Sequence, residues 1–396
     1  MTQSHRFHSI DIVKGILILF MLFINDLFLP DLPPWLSNID PSNNSPGIAG
    51  WIFPAFIFMF GTTVPFAISK KIYNGLTSYD ISRQIFARAI ILITIGVLMV
   101  NSYRVDPELT GFSKHLWSLL VFIAVFLVWN RYPEKENNFF TVTSLRLAGL
   151  ATLVFLVLKF KSGSHENNGS LITGWWDLPG LLGWGYLVSA FTFLALRNSI
   201  AGTGLIWLLF LTLNILGELN LLQPLDPVRP YLGVITDGHI PLIMLSGHLA
   251  GLILKRFSET EYRKILLILI CMGLMMVLSG FSLRKWIFTA GVSGNPAIAL
   301  ICCGLILLFL VLMYWFADIK KNDRWFVLLK PAGENPLTVY IAPGIIYNLI
   351  YLSGLPVLFY QTSANIFINI AGSAIWAIFL VWLTSLLIRL NIKLKI

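Results

Sequence analysis

Cysteine is scarce in this chain: three in 396 residues, Cys271, Cys302 and Cys303, with no CxxC spacing. That excludes a disulfide framework and a thiolate metal site, and leaves all three as packing residues inside apolar segments. Charge is scarce as well. Asp, Glu, Lys and Arg make up 12% of the chain, against 57% hydrophobic residues. A soluble globular protein of this length has no use for so much apolar surface. Strict alternation of apolar and polar residues is missing, which excludes a membrane β-barrel. The first apolar run lacks a small-residue cleavage site and carries Asn25 and Asp26, so it reads as a retained span and not as a signal peptide. No long linker, low-complexity tail or soluble domain interrupts the pattern. Basic residues outnumber acidic ones, 28 to 19, yet the excess does not point to nucleic acid. It lies mostly in short loops, where Lys and Arg set the orientation of a membrane protein.

What the sequence has in quantity is apolar runs of about 18–25 residues, the length that crosses a bilayer as a helix. They are predicted near 11–30, 47–69, 87–103, 115–130, 145–161, 180–197, 202–222, 238–255, 264–283, 296–317, 334–353 and 365–388. The expected fold class is therefore all-α: a polytopic integral membrane protein of about twelve transmembrane helices, forming a single membrane domain over 1–396. The runs near 115–130 and 145–161 are short. Placing the N-terminus inside puts about three quarters of all Lys and Arg on the cytoplasmic face, so both termini are expected in the cytoplasm. The loops of the opposite face are rich in Pro, Gly, Asn and Trp. That composition suits irregular backbone lining a cavity.

Polar groups inside such spans are costly and mark function by default. They concentrate near 6–61. Asp11 and Lys14 are three residues apart and share a helix face. They form a local ion pair that anchors the span, or, with Arg6, they help hold an anionic ligand at the cytoplasmic end. Asn25 and Asp26 close the same span at its other end. There they cap the helix or line a substrate cavity between the first two spans, where Asn can donate to an oxyanion and Asp can bind an amine or hydroxyl. The stiff loop that follows holds Trp35, Asn38 and Asp40. Trp35 anchors the membrane interface or stacks on a sugar ring. Trp175, Trp176 and Asp177, just ahead of the sixth span, form a second aromatic edge with a carboxylate. Close packing through Gly180 and Gly183 is the plainer reading of that segment. At the start of the eleventh span Pro331 and Gly333 break regular helix, and Glu334 and Asn335 cap backbone groups or line a site. His239 and His248 are nine residues apart on opposite faces of one span, which excludes a shared metal. Each is a hydrogen-bonded core residue or a proton-transfer group. His5, His8, His115 and His165 are expected in solvent.

Taken in order, several motifs resemble one family. They are Arg6-x-x-Ser9-x-Asp11-x-x-Lys14-Gly15, then Asn25, then Phe53-Pro54-x-Phe56-x-Phe58-x-x-Gly61. Trp175-Trp176 through Tyr186, Ser246-Gly247 with Gly251, and Pro331-Ala332-Gly333-x-Asn335-Pro336-Leu337 complete the set. The set is similar to the heparan-alpha-glucosaminide N-acetyltransferase family of membrane acyltransferases, the bacterial branch above all, and runs over nearly the whole chain. The resemblance implies a multi-pass protein of the bacterial inner (plasma) membrane. It implies transfer of an acetyl group from cytoplasmic acetyl-CoA to an amino sugar or glycan on the far side, without a metal. The family's catalytic residue is a His in the first outer loop, beside the Asn that ends the first span. Asn25 matches that Asn. The His has no counterpart: its place falls on Asn38 counted against the bacterial branch and on Asp40 counted against the animal members. Gly50 stands where the family has an Asp, and Lys14 where it has an Arg. The spans near 115–130 and 145–161 are additional to the animal core.

An amine must lose a proton during acyl transfer, and Asn38 cannot take it. Asp26, Asp40 and His239 are then the candidate bases. CoA is expected near Arg6, Asp11 and Lys14 together with a loop such as Lys255–Arg256 or Lys320–Lys321. The sugar is expected near Trp35, Trp175, Trp176, Asp177 and Asn335. A sugar or glycan-fragment transporter without catalysis, and a membrane scaffold, are the competing readings. The expected partners are the lipid bilayer, a small sugar and a second copy in a homodimer, with no nucleic acid.

Overall fold

The computed structural model describes residues 7–27, 36, 47–132, 139–163, 169–172, 177–257, 261–286, 294–363 and 365–394. Among these residues, eleven helices are long and apolar enough to cross a membrane, and a further apolar helix, Lys114–Trp129, has 16 residues. Each predicted run falls on one of them, so the all-α polytopic architecture holds. In order they are α1 (His8–Asp26), α2 (Ile48–Tyr73), α3 (Ser78–Ser102), the single turn α4 (Pro107–Thr110), α5 (Lys114–Trp129), α6 (Phe139–Lys159), α7 (Leu178–Leu196) and α8 (Ile200–Glu218). Then follow α9 (Arg229–Thr236), α10 (His239–Arg256), α11 (Tyr262–Arg284), α12 (Pro296–Met313), α13 (Leu329–Glu334), α14 (Pro336–Ser353) and α15 (Ile366–Arg389). Side chains start several of them. Ser113, Ser199, Asn295 and Asn365 accept from N–H groups of the first turns of α5, α8, α12 and α15, donors the helix itself leaves open. Leu205, Leu208 and Leu209 on α8, and Leu267, Leu274, Met275 and Leu278 on α11, are exposed. Apolar faces of this extent imply a bilayer.

The chain divides into two compact units, Met1–Leu17, Asp31–Ile90 and Leu181–Val327 in one, Ile18–Pro30, Ile91–Gly180 and Leu328–Ile396 in the other. In the first unit α2 packs on α10, which is buried from Ile240 to Leu254. Three glycines let the backbones meet. A Cβ on Gly247 would lie 1.9 Å from the Phe58 carbonyl oxygen, one on Gly251 2.3 Å from that of Thr62, and one on Gly61 2.0 Å from that of Met244. Gly247 and Gly251 are four residues apart on one face, the small-xxx-small spacing of close helix pairs. The register also gives a direction. Gly247 meets Phe58 and Gly251 meets Thr62, so α2 and α10 run parallel. The hairpin α11–α12 is antiparallel, closed by Gly273 against Gly304 and by Gly280 against Ala297 and Ile301. Cys302 and Cys303 are buried in it, whereas Cys271 is exposed on α11, so the expected packing role does not hold for that residue.

The second unit is built on α5, which packs against α6 and α14. Trp117 is fully buried, and its indole N–H donates to the Leu156 carbonyl at 3.3 Å. Around it gather Val121, Val125, Leu153, Leu156, Ile341 and Ala342. Gly344 of α14 leaves room for the Phe122 ring, 2.5 Å from where a Cβ would stand.

Candidate functional site

The polar centre of the second unit is Asp26, the last residue of α1, only 2% exposed. A buried carboxylate has to be paired or hydrogen-bonded. Tyr347 of α14 donates to Oδ1 at 2.5 Å, and Tyr360 donates to Oδ2 at 2.6 Å. Gln361 Nε2 donates to Oδ1 at 3.0 Å and to the Asp26 carbonyl at 3.1 Å. The two phenol contacts have the short O···O distances of charge-assisted bonds. Tyr360 and Gln361 belong to the 3-10 segment Pro356–Thr362. Burial, together with the hydrogen bond to Asp26, pushes the Tyr360 phenol above its ordinary range, which keeps it an O–H donor. Its ring lies against Gly372 of α15, where a Cβ would be 2.3 Å from the ring carbon Cγ. Trp376, one turn further along α15, donates to the Tyr347 hydroxyl at 2.9 Å. On the same helix Asn369 Nδ2 donates to the Gln361 carbonyl at 3.2 Å. Asn369 Oδ1 and Ser373 Oγ are buried with no hydrogen-bond partner among the described residues. Asn25, beside Asp26, is exposed.

His115, on α5, belongs to the same unit and is not the solvated residue the sequence suggests. Its ring stacks on Tyr351 (centroids 4.8 Å apart, planes at 28°), and Nδ1 lies 3.3 Å from Asn348 Oδ1. Both partners are on α14. Tyr351 stands one turn beyond Tyr347, which donates to Asp26.

Two turns before Tyr347 on α14, Tyr340 donates to Asp177 Oδ1 at 3.0 Å. Burial pushes the Asp177 carboxyl above its ordinary value of 3.8, and hydrogen bonds from the Leu178 N–H and the Tyr340 hydroxyl pull the other way. Between 3.8 and that raised value the folded protein holds a proton that the unfolded chain has lost. Stability therefore rises as the pH falls through this window and is reduced above it. Asp177→Asn removes the titration. The variant is expected to melt higher than the unmodified protein at neutral pH and to lose that advantage on acidification. Melting curves taken from neutral pH downward check it, and parallel curves for the two proteins would overturn it.

The first unit holds the start of α1. Asp318 lies in the π-helical continuation of α12, Tyr314–Ile319. Its Oδ1 accepts from the His8 N–H at 2.8 Å and its Oδ2 from the Ser9 N–H at 3.1 Å. His8 Nδ1 lies 2.9 Å from Asp323 Oδ2, so His8 too is engaged and not simply solvated. The anion-binding capacity of this helix end is thus taken up by a carboxylate of the chain itself. Lys14 pairs with Asp11 at 3.0 Å, both side chains about 10% exposed, so that charge is also neutralised locally. Lys255 bonds Ser69 and, at 2.8 Å, Asn198 Oδ1. Further positive charge gathers beyond, where Lys320 Nζ lies 5.3 Å over the centre of the Trp315 ring. Trp315, Phe316, Lys320, Lys321, Asn322 and Arg324 line an open cleft of about 530 Å³.

The remaining residues named from the sequence are dispersed. Arg6, Trp35, Asn38, Asp40, Trp175 and Trp176 lie outside the described residues. His239 begins α10 in the first unit, with its Nδ1 buried and unpartnered among the described residues. His248 is a hydrogen-bonded core residue: Nδ1 lies 2.8 Å from Ser189 Oγ. Asn335 Nδ2 donates to the Pro331 carbonyl at 3.3 Å. It precedes Tyr347 by roughly 17 Å along the α14 axis, so it caps locally, away from the Asp26 cluster. Among the described residues no three His, Cys, Asp or Glu side chains come together as a metal site. Tyr347, Tyr360, Gln361, Trp376 and His115 are what sequence reasoning missed. A tyrosine in an apolar span carries no mark of its partner.

Residues 6–173, under half of the chain, match a family described as "Domain of unknown function (DUF5009)". The chain is also similar to the heparan-alpha-glucosaminide N-acetyltransferase of Mus musculus, 24% identical over 170 residues, which cover 40% of this chain and 25% of the relative. With the Homo sapiens protein of that name it shares 27% identity over 103 residues, 26% of this chain and 15% of the relative. The chain spans a quarter or less of the length of these curated relatives. The matches support a distant relationship to that family.

Proposed function

We propose, with that distant relationship as premise, that the chain is a membrane-embedded acyltransferase. It takes an acetyl group from acetyl-CoA on the cytoplasmic side and gives it to an amino sugar or glycan on the far side. Its place is the bacterial inner membrane, with both termini in the cytoplasm. The observation that carries the reading is the Asp26 cluster. Within the stretch shared with the matched family, the end of the first span sets one carboxylate among two phenols and an amide. Membrane-buried carboxylates are rare and functional by default. Asp26 already accepts three side-chain hydrogen bonds, so its part is to position the acceptor sugar, with the second-row partners holding it rigid. Asn369 Oδ1 and Ser373 Oγ, buried and unpartnered among the described residues, are the groups to meet sugar hydroxyls.

Acetyl-CoA supplies an activated thioester. The residues that fit its phosphates are the cations of the cleft, Lys320, Lys321 and Arg324, with Trp315 and Phe316 as apolar walls for the adenine. Lys14 and the α1 terminus are already matched by Asp11 and Asp318. A hydrogen bond to a charged group contributes about 1.5–3 kcal/mol, so Lys320→Ala and Arg324→Ala should each weaken CoA binding about tenfold or more. Titration calorimetry with CoA measures this. Unchanged affinity in both variants would move the phosphate site elsewhere, Arg6 and Lys14 first.

The function itself is tested with purified protein, acetyl-CoA and a panel of amino sugars. Release of CoA thiol that depends on an amino sugar is expected. No CoA binding by the unmodified protein at millimolar ligand would remove the acyltransferase reading. Sugar binding without CoA binding would favour transport.

A further inference from the structure

We propose that His115 is the base that takes the proton from the acceptor amine, an inference that rests on the acyltransferase reading and deepens it. The argument starts at Asn348. Its Nδ2 donates to the Gly344 carbonyl at 2.7 Å, which fixes the amide and turns Oδ1 toward the His115 ring. An oxygen at that position can only accept, so Nδ1 carries the hydrogen. Nε2 is then left with its lone pair, and no described residue bonds to it. Tyr351 stacks on the ring and sets its plane, and it lies one turn beyond Tyr347, the α14 residue that donates to Asp26. A His that is oriented through Nδ1 and open at Nε2 has the arrangement a general base requires. Neither ring partner, Asn348 or Tyr351, is a carboxylate that would occupy the ring's second nitrogen.

In the step, the amine nitrogen attacks the thioester carbonyl carbon. The C–N bond forms, the C–S bond breaks, and the CoA thiolate leaves. The amine proton passes to His115 Nε2 and from there to water, while the thiolate takes one up from water. The products are the N-acetyl sugar and CoA.

The test uses the full chain in detergent, with acetyl-CoA and glucosamine as probes and elution volume as the check of folding. His115→Gln should lower kcat by about 10²–10⁴ and leave CoA affinity unchanged. His115→Ala should regain turnover on addition of imidazole, which a structural role would not produce. Nitrogen NMR of histidine-labelled protein should show the Nδ1–H tautomer at His115, lost in Asn348→Leu. Full turnover by a folded His115→Gln, or an Nε2–H tautomer, overturns this assignment alone. An unmodified protein that binds no CoA overturns the function proposed above and this inference with it.

Discussion

Gly247→Leu is expected to leave no folded protein. Even a methyl group at this position would stand 1.9 Å from the Phe58 carbonyl oxygen and 2.8 Å from its carbon. Both are backbone atoms of α2, so no side-chain rotation relieves the clash. Gly251 against Thr62 and Gly61 against Met244 make equally close approaches, so the two backbones cannot slide to a new register without a second clash. One surplus methylene in a packed core costs about 1–3 kcal/mol. A Leu side chain adds four carbons against unyielding backbone, which reaches the whole stability of an ordinary domain, about 5–15 kcal/mol. Size-exclusion of a fluorescent fusion in detergent reads the result as loss of the monodisperse peak. Gly204 is the matched control: nothing lies within 4 Å of its added Cβ. Gly204→Ala should elute unchanged and gain up to about 1 kcal/mol from helix propensity. An unshifted, full-height peak for Gly247→Leu would overturn the close crossing.

The contrast between these two glycines shows what the sequence made legible. Length and apolar composition were enough for the spans, because a helix in lipid needs only those two properties. The start of α14 was also visible, since Pro and Gly mark their own break. Ser246-Gly247 and Gly251 stood out as a motif, but the spacing alone did not name α2 as the partner. Asp26 was conspicuous because a carboxylate at the end of an apolar run is costly wherever it goes. Its partners were not, since Tyr347, Tyr360 and Gln361 lie more than three hundred residues away and look like any other residues of their segments. His115 was misread for the same reason. It follows a loop, and only the fold brings it to Asn348, which stands 233 residues further on. Asp318 had no local signature as a cap for α1, because the N–H groups that donate to it, those of His8 and Ser9, stand at the other end of the first unit's sequence. Local chemistry is written locally; long-range pairing of polar groups is not.

Asp26→Ala is expected to lower both stability and turnover, and by separable routes. The substitution strands the Tyr347 and Tyr360 hydroxyls, which donate to the Asp26 carboxylate, while the Gln361 amide keeps its bond to the Asp26 carbonyl. A buried donor left unpaired costs about 1–3 kcal/mol, so the loss is several kcal/mol unless water enters. Asp26→Asn keeps the shape but turns one acceptor into a donor facing a phenol, and should cost less than Ala while still lowering the melting temperature. Tyr347→Phe removes a single donor, yet it also deprives the Trp376 indole of its acceptor. Groups joined this way polarise one another, so the effects of Asp26→Asn and Tyr360→Phe should fall short of their sum in the double variant. Turnover discriminates further. If Asp26 positions the sugar, Asp26→Asn should raise KM for the amino sugar and lower kcat with CoA affinity unchanged. A merely structural carboxylate would lower the melting temperature and leave kcat and KM of the surviving folded fraction intact. An Asp26→Asn protein with unchanged melting and unchanged turnover would mean that the cluster is neither support nor site.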